Sequence, residues 1–532
     1  MNLLNRKLIL SFLILYFFNG FSHIFAFSIK EKSVSEIHKA LKENITTCEE
    51  IITQTLDDIY HIDSPQNDLN IFLSLNPHAL EKARKLDQES KNSKELKKLH
   101  CIPIALKDNI NTSFLPTTGG ALADSRPDYN AFIVEKILSE DAIIIGKTNL
   151  HEYALSFKGF SLLGGQTRNV YNTQRGPGGS SSGTASAVAA SLATIGIGTD
   201  TGGSIRIPSS NQSLIGLRPS LRLISQHGIM PLSPFQDTAG PICRVASDCA
   251  LMMQILAQYD SSNMSNHRAQ FDIQSSLMKS ERDYLQHFNI DQFHSLLDDH
   301  ALKGAKIAVV PLLFGDNPKV IKLAQAAIAN FTKAEAQVTQ IEIPHLRKML
   351  TEYNSISALE FSSALTRYLQ TWDSTQDKHP RSFDEIYNAS LFSTDSQTTM
   401  DFYFQYGQAP QSHPEYIKNT VERPQFIRPI FKKLFTEYDV LIYPTITGLP
   451  GILGESPTSS GPANKLSPFS GHPTITMPIG YASDEINQVI YHDLPVGLEL
   501  MADEFQEMKL LQYVHSYQKQ FSPRKSPDFL HL

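Results

Sequence analysis

Apolar residues in this chain recur in two rhythms. Val34, Ile37 and Leu41, then Cys48, Ile51, Ile52, Leu56 and Ile59, keep the three-and-four spacing of a helix that buries one face. Each pattern opens on a capping box, Ser33 with Glu36 and Thr46 with Glu49, in which hydroxyl and carboxylate satisfy each other's backbone N–H groups. Residues 79–99 read as a charged helix running into a lysine-rich surface stretch. The rhythm then changes. Ile102-Pro103-Ile104-Ala105-Leu106 is a short apolar strand ending on Lys107. A helix at 132–139 leads into a strand at 142–145, closed by Gly146. Further apolar runs at 307–310, 439–443, 474–477 and 495–498 alternate with helical patterns. Strand, helix, strand is the mark of α/β architecture. The runs span nearly the whole chain without a linker or repeat, so the expectation is one large sheet. Residues 260–300 read as a polar surface insertion, and 451–467, rich in Gly, Pro and Ser, as a loop.

The N-terminus is built differently. Arg6 and Lys7 precede an apolar run from Leu8 to Phe18, Asn19-Gly20 breaks it, and Ala26 offers a small residue for cleavage. That layout predicts a secretory signal peptide over 1–26 and an exported mature chain, periplasmic or secreted. A retained membrane anchor is the rival reading; Asn19, Gly20 and His23 interrupt the span such an anchor needs. The 532 residues carry a net charge of −7 with both signs interleaved, and no basic stripe, so nucleic acid is not expected as a partner. Four cysteines (Cys48, Cys101, Cys243, Cys249) are too few for a disulfide scaffold of this size and form no metal-type pair; one bridge at most is expected, its partners open.

The candidate chemistry lies in two glycine-serine loops. Gly176-Pro177-Gly178-Gly179-Ser180-Ser181-Ser182-Gly183 opens a helix of small residues at 184–193. After a short strand at 195–198 comes Gly198-Thr199-Asp200-Thr201-Gly202-Gly203-Ser204. A helix N-terminus and a glycine turn both aim N–H groups at one spot, which favours an anion or oxyanion. A phosphate-binding P-loop needs Gly-Lys-Ser/Thr, which is absent. Gly179-Ser180-Ser181-Ser182-Gly183 fits the G-x-S-x-G elbow, but no buried strand precedes it. His151-Glu152 lacks the second histidine of a zinc site, and His227 reads as a surface or supporting residue. Ser276-Leu277-Met278-Lys279 and Ser522-Pro523-Arg524-Lys525 match S-x-x-K but lack the other motifs of a penicillin-binding enzyme. A serine nucleophile needs a base; no His/Asp arrangement is evident nearby, and Lys107, at a strand end, reads either as that base or as a solvated lysine. It serves only when neutral, so its pKa must fall by roughly three pH units from about 10.4, a cost of about 4 kcal/mol.

These residues together resemble the amidase signature family. The match runs from Gly178 to Gly183, through Gly198 to Pro208, and on through Gly216-Leu217-Arg218-Pro219, Ser225-Gln226-His227-Gly228 and Asp237-Thr238-Ala239-Gly240-Pro241. It extends to Gly146-Lys147-Thr148-Asn149-Leu150, Gly164 to Asn169, Leu302-Lys303-Gly304 and Leu494 to Gly497. The resemblance implies one amidase domain over 27–532, with the signature core at 100–245 and a substrate-shaping C-terminal half at 300–525. It implies a single large mixed sheet covered by helices on both faces. It also implies Ser204 as the acylated nucleophile, Ser180, after a cis peptide bond, as the proton bridge, and Lys107 as the base. The N–H groups of Thr201, Gly202, Gly203 and Ser204 would form the oxyanion hole. Asp200, Arg206 and Ser181 would support the loops, with no cofactor or metal. Three departures from the pattern, Cys101, Ser182 and Arg218-Pro219-Ser220, read as local packing changes.

In the second half, Ala358-Leu359-Glu360-Phe361 through Arg367-Tyr368-Leu369, then Arg381 to Ile386 and Tyr406-Gly407-Gln408, resemble the peptide amidase branch. The expected substrate is therefore a peptide or small-molecule amide, cleaved to carboxylate and ammonia. Aliphatic or aryl amides, and a non-catalytic binding protein on the same scaffold, are the alternatives. Amidation on transfer RNA is disfavoured by the export signal.

Overall fold

The computed structural model describes residues 27–90, 95–123, 125–260, 297–372, 379–407, 410–455 and 461–528. The N-terminal segment 1–26, most of the polar stretch 260–300 with its S-x-x-K match, and Gln408 lie outside the described residues.

Among these, eleven strands form one mixed sheet. They are β1 (Phe72–Leu75), β2 (Pro103–Lys107), β3 (Ile143–Thr148), β6 (Ile195–Asp200), β7 (Ile215–Arg218), β8 (Thr238–Cys243), β9 (Lys306–Val309), β10 (Gln337–Gln340), β11 (Val440–Pro444), β12 (Thr474–Ile486) and β13 (Val489–Met501). The sheet order is β1-β3-β2-β6-β8-β7-β12-β13-β11-β9-β10. A separate two-stranded ribbon joins β4 (Phe160–Ser161) to β5 (Gly165–Gln166). β3, β2 and β6 run parallel, as do β11, β9 and β10, while the strands between pair antiparallel.

Every residue of β2, β3, β6, β7 and β8 is buried. Alternate side chains point to opposite faces, so continuous burial means that helices cover both faces. This is why β2 and the apolar parts of β3 and β6 read as strands, whereas β7 and β8, equally buried but broken by Gly, Arg and Pro, carry no apolar run and were not expected from the pattern. The helix Ser182–Ala189 is buried at every position and lies close on β6; a Cβ at Gly196 would stand 2.6 Å from Thr184 Cγ2. Small residues on one element and glycine on the other allow that approach.

The N-terminal helices form as their patterns predict, with one shift. The Ser33–Glu36 box caps Val34–Lys42, but the second box is Thr47 with Glu50, one residue later than expected. Thr47 takes the extended cap conformation and accepts from Glu50 N–H at 3.1 Å, while Thr46 Oγ1 donates to the Glu50 carboxylate. The charged helix is described over Ala79–Ser90, and residues 95–99, read as its end, are not helical. The stretch 451–467 is not all loop: a 3-10 turn, Pro462–Lys465, and a short helix, Leu466–Ser470, follow its described part.

All four cysteines are paired, Cys48–Cys101 and Cys243–Cys249, where one bridge at most was expected. Cys101 has φ +63°, the left-handed region that favours glycine, so its departure from the family pattern is a bridge. The bridge ties the helix Cys48–Ile62 to Cys101, two residues before β2. No helix among the described residues is long and apolar enough to cross a membrane.

Candidate active site

The parallel strands β2 and β6 end side by side, and their ends carry the chemistry. Lys107 closes β2 and Asp200 closes β6; the turn 201–204 follows. Lys107 Nζ lies 2.8 Å from Ser180 Oγ, 2.7 Å from Thr199 Oγ1 and 3.3 Å from the Thr199 carbonyl. A neutral amine has two N–H donors and one lone pair. Protonated, Lys107 donates to Ser180 Oγ; once neutral, with its two donors directed at Thr199, it has its lone pair left to accept the Ser180 hydroxyl. Burial pushes Lys107 down to about 7, against Asp200 and Asp237, whose charges favour the protonated form.

Ser180 follows a cis peptide bond from Gly179. Its carbonyl accepts from His151 N–H at 3.0 Å, and the next N–H, of Ser181, donates to the Ser204 carbonyl at 3.2 Å. The second of these bonds ties the two serine loops together. Ser181 Oγ lies within hydrogen-bond reach of the Thr199 carbonyl and N–H, locking the first loop onto β6. Lys107 and Ser180 are fully buried, whereas Ser204 keeps 3% of its surface exposed.

The turn is held from below by a buried ionic cluster. Asp200 accepts from Gly203 N–H at 2.8 Å and Ile205 N–H at 3.0 Å. Arg206 donates to both Asp200 oxygens and, at 2.8 Å, to Glu499; Arg218 donates to the Asp200 carboxylate and carbonyl. Two carboxylates face two guanidiniums with almost no exposure, so the charges balance where isolated ones would be costly. Burial alone would raise the Asp200 carboxyl, but Arg206 and Arg218 hold it well below the usual carboxylate range. Two expectations change. Gly203 N–H is committed to Asp200, so it is not available to an oxyanion; the N–H groups of Thr201, Gly202 and Ser204 donate to no acceptor among the described residues. Arg218 is not a packing change but a partner of Asp200.

A cavity opens beside the turn. Thr199, Thr201 and Asp237 form its polar wall, Met230 and Leu232 an apolar one, and Ala364, Arg367 and Tyr368 of the helix Ser357–Leu369 a third. Thr201 Oγ1 donates to Asp237 at 2.6 Å. Met230, Leu232 and Tyr368 belong to an aromatic-rich cluster with Phe361, Trp372 and Phe383, which anchors the C-terminal wall to the signature core. His227, half-buried against Tyr129, lines the same cavity. His151 is buried and held neutral by burial, which lowers its pKa to about 4. Below the site a second buried lysine, Lys147, pairs with Asp108 at 3.0 Å. Cys48, His100 and Cys101 also bring ligand-type atoms close, but the disulfide leaves no thiolate there for a metal.

Sequence reasoning missed Thr199, Gln236, Asp237 and Glu499. The first three sit in or next to the quoted motifs; Glu499, 293 positions from Arg206, carries no local signal.

A serine-bearing turn, a buried lysine and a cavity at the strand ends define an acyl-transfer type of site. The Amidase family model matches residues 50–511, and the chain belongs to that family. It is 28% identical over 511 residues to a glutamyl-tRNA(Gln) amidotransferase subunit from Methanosarcina barkeri, covering 92% of this chain and 97% of that one. The native peptide amidase from Stenotrophomonas maltophilia superposes with a TM-score of 0.79 at 27% identity, covering 94% and 99% of the two chains. A peptide amidase in complex with the competitive inhibitor chymostatin gives the same TM-score at 28% identity. The protein is an amide-hydrolysing enzyme of serine type.

Proposed function

We propose that this enzyme hydrolyses carboxamides to carboxylate and ammonia through an acyl-Ser204 intermediate, with C-terminal peptide amides as the substrate class. The observation that carries the mechanism is the 2.8 Å contact between Lys107 Nζ and Ser180 Oγ, beside a loop bonded directly to Ser204. Neutral Lys107 takes the Ser180 proton while Ser180 takes that of Ser204, and Ser204 Oγ bonds to the amide carbon. The carbonyl oxygen becomes an oxyanion facing the N–H groups left free in the turn, those of Thr201, Gly202 and Ser204. On collapse the C–N bond breaks, the nitrogen takes the proton back through Ser180, and ammonia leaves. Water then attacks the acyl group by the same relay, releasing the carboxylate and free Ser204. Lysine can act in both directions because its pKa lies near neutrality.

The substrate class is supported by the cavity wall from the helix Ser357–Leu369, the segment that resembles the peptide amidase branch, and by the likeness to the Stenotrophomonas enzyme. An ammonia-release screen over peptide amides, aliphatic amides and aryl amides tests it. Preferential turnover of peptide amides, abolished in Ser204→Ala, is expected. Preference for a simple aliphatic or aryl amide would overturn the substrate class, and full activity in Ser204→Ala the mechanism.

Export of the mature chain is part of the proposal. The charged, apolar and small-residue layout of 1–26 supports it, as do two disulfides, which persist in oxidising compartments. N-terminal sequencing of the extracytoplasmic protein should begin near residue 27; a start at Met1 would contradict cleavage.

A further inference from the structure

Gln236 sits immediately before Asp237, only 1% exposed, with every polar group of its side chain engaged. Its Nε2 donates to the Thr201 carbonyl at 3.2 Å. Its Oε1 accepts from Ser355 Oγ at 3.2 Å and from Ile356 N–H at 3.3 Å. The orientation of the amide is fixed by these partners: a carbonyl can only accept and a backbone N–H can only donate. The main chain is held too, by Arg218 Nη2 donating to the Gln236 carbonyl at 2.7 Å and by Gln236 N–H donating to the Ser233 carbonyl.

The consequence lies in the peptide unit that Gln236 grips. Thr201 C=O and Gly202 N–H belong to one planar trans unit and point in opposite directions. Fixing the carbonyl on the Gln236 side turns the Gly202 N–H the other way. That N–H has no acceptor among the described residues, while Gly203 N–H is tied to Asp200. Glycine at 202 has no side chain to limit the rotation of this unit, so an external clamp is needed to hold its direction.

We infer that Gln236 is a positioning residue that aims the Gly202 N–H at the developing oxyanion, and that it couples this donor to the substrate-lining helix. The coupling follows from its second grip. Ser355 and Ile356 lead directly into the helix Ser357–Leu369, whose Ala364, Arg367 and Tyr368 line the cavity. A substrate packed on that helix steadies the segment that holds Oε1, and through the amide the Thr201–Gly202 unit. The inference rests on the acyl-Ser204 reading above.

The test uses the full mature enzyme and two variants. Gln236→Glu keeps the size and the acceptor for Ser355 and Ile356 but loses the donor to Thr201. Gln236→Met removes both grips. Removing an oxyanion donor outright costs about 10²–10³ in kcat, so misaiming one is expected to cost about 10–100-fold. KM should change by less than about threefold, and in the uncharged Gln236→Met variant the acid limb of the pH profile should stay in place, because the charges around Lys107 are unchanged. Affinity for a peptide boronic acid, whose adduct on Ser204 puts an oxygen in the hole, should fall in step with kcat. Affinity for the carboxylate product should not.

Unchanged kcat in a folded Gln236→Glu variant overturns the inference. So does an equal loss of boronic acid and product affinity, which signals general damage, or an acid limb shifted in Gln236→Met, which signals action through Lys107. Should Gln236→Met fail to fold, Gln236→Glu decides alone. Wild-type activity that survives Ser204→Ala would instead overturn the reading on which the inference stands.

Discussion

The acid limb of the pH–rate profile should belong to Lys107. Burial at the end of β2 brings its pKa from 10.5 to about 7. That difference corresponds to roughly 5 kcal/mol in favour of the neutral amine. An unshifted lysine would be neutral in only about one molecule in 3,000 at pH 7, so burial raises the amount of usable base by about three orders of magnitude. Measured as ammonia release, kcat/KM should fall about tenfold per pH unit below roughly pH 6.5 and level off above about pH 7.5. Lys107→Arg keeps the cation but holds its proton throughout this range, so it should lose at least about 10²-fold and show no such limb. The same group bears on stability. Between about pH 7 and 10.5 the unfolded chain carries a proton on Lys107 that the folded chain lacks, so its contribution to stability rises with pH across that window. Lys107→Met should flatten the rise in urea titrations run at several pH values. A wild-type limb below pH 5 or above pH 9, or the same limb in Lys107→Arg, would refute the assignment.

The remaining predictions address the bridge serine, the ionic cluster and the disulfide. Ser180→Ala removes the relay but leaves Ser204 and its donors, so kcat should drop about 10²–10⁴-fold with KM nearly unchanged in steady-state kinetics. Arg218→Met strands charge in the buried Asp200–Arg206–Glu499 group and should destabilise by about 3–5 kcal/mol in chemical denaturation; a loss under 1 kcal/mol would show the cluster is not coupled. Opening the Cys48–Cys101 bridge frees a loop with a sequence separation of 53, worth up to about 4 kcal/mol in chain entropy. In a Cys48→Ser background, Cys101→Gly should then be more stable than Cys101→Ala, because φ at this position is +63°.

Much of this was readable from local pattern. β2 and β11, buried at every position, announced themselves as apolar runs, whereas β7 and β8, equally buried but carrying Gly, Arg and Pro, did not. The long hairpin was harder. β12 and β13 run over 474–486 and 489–501, but only their inner parts are buried, and the exposed outer halves lose the apolar signal. Prolines at 478 and 495 interrupt them further. The site's first layer was legible because Ser180, Ser204 and Lys107 lie in short motifs. Its support was not. Arg206 meets Glu499, and Gln236 meets Ser355 and Ile356, through tertiary contacts that no spacing encodes. The Cys48–Cys101 bridge was hidden for the same reason: a positive φ at Cys101 cannot be seen in one sequence.

The central claim is that the amide's acyl group passes through Ser204. Rapid acid quenching during turnover of a peptide amide, followed by fragmentation of the tryptic peptide 176–206, tests it directly, because that peptide holds Ser180 and Ser204 together. The substrate's acyl mass is expected on Ser204, formed with one equivalent of ammonia and absent in Ser204→Ala. An adduct on Ser180, or full turnover with no adduct on Ser204, would contradict it.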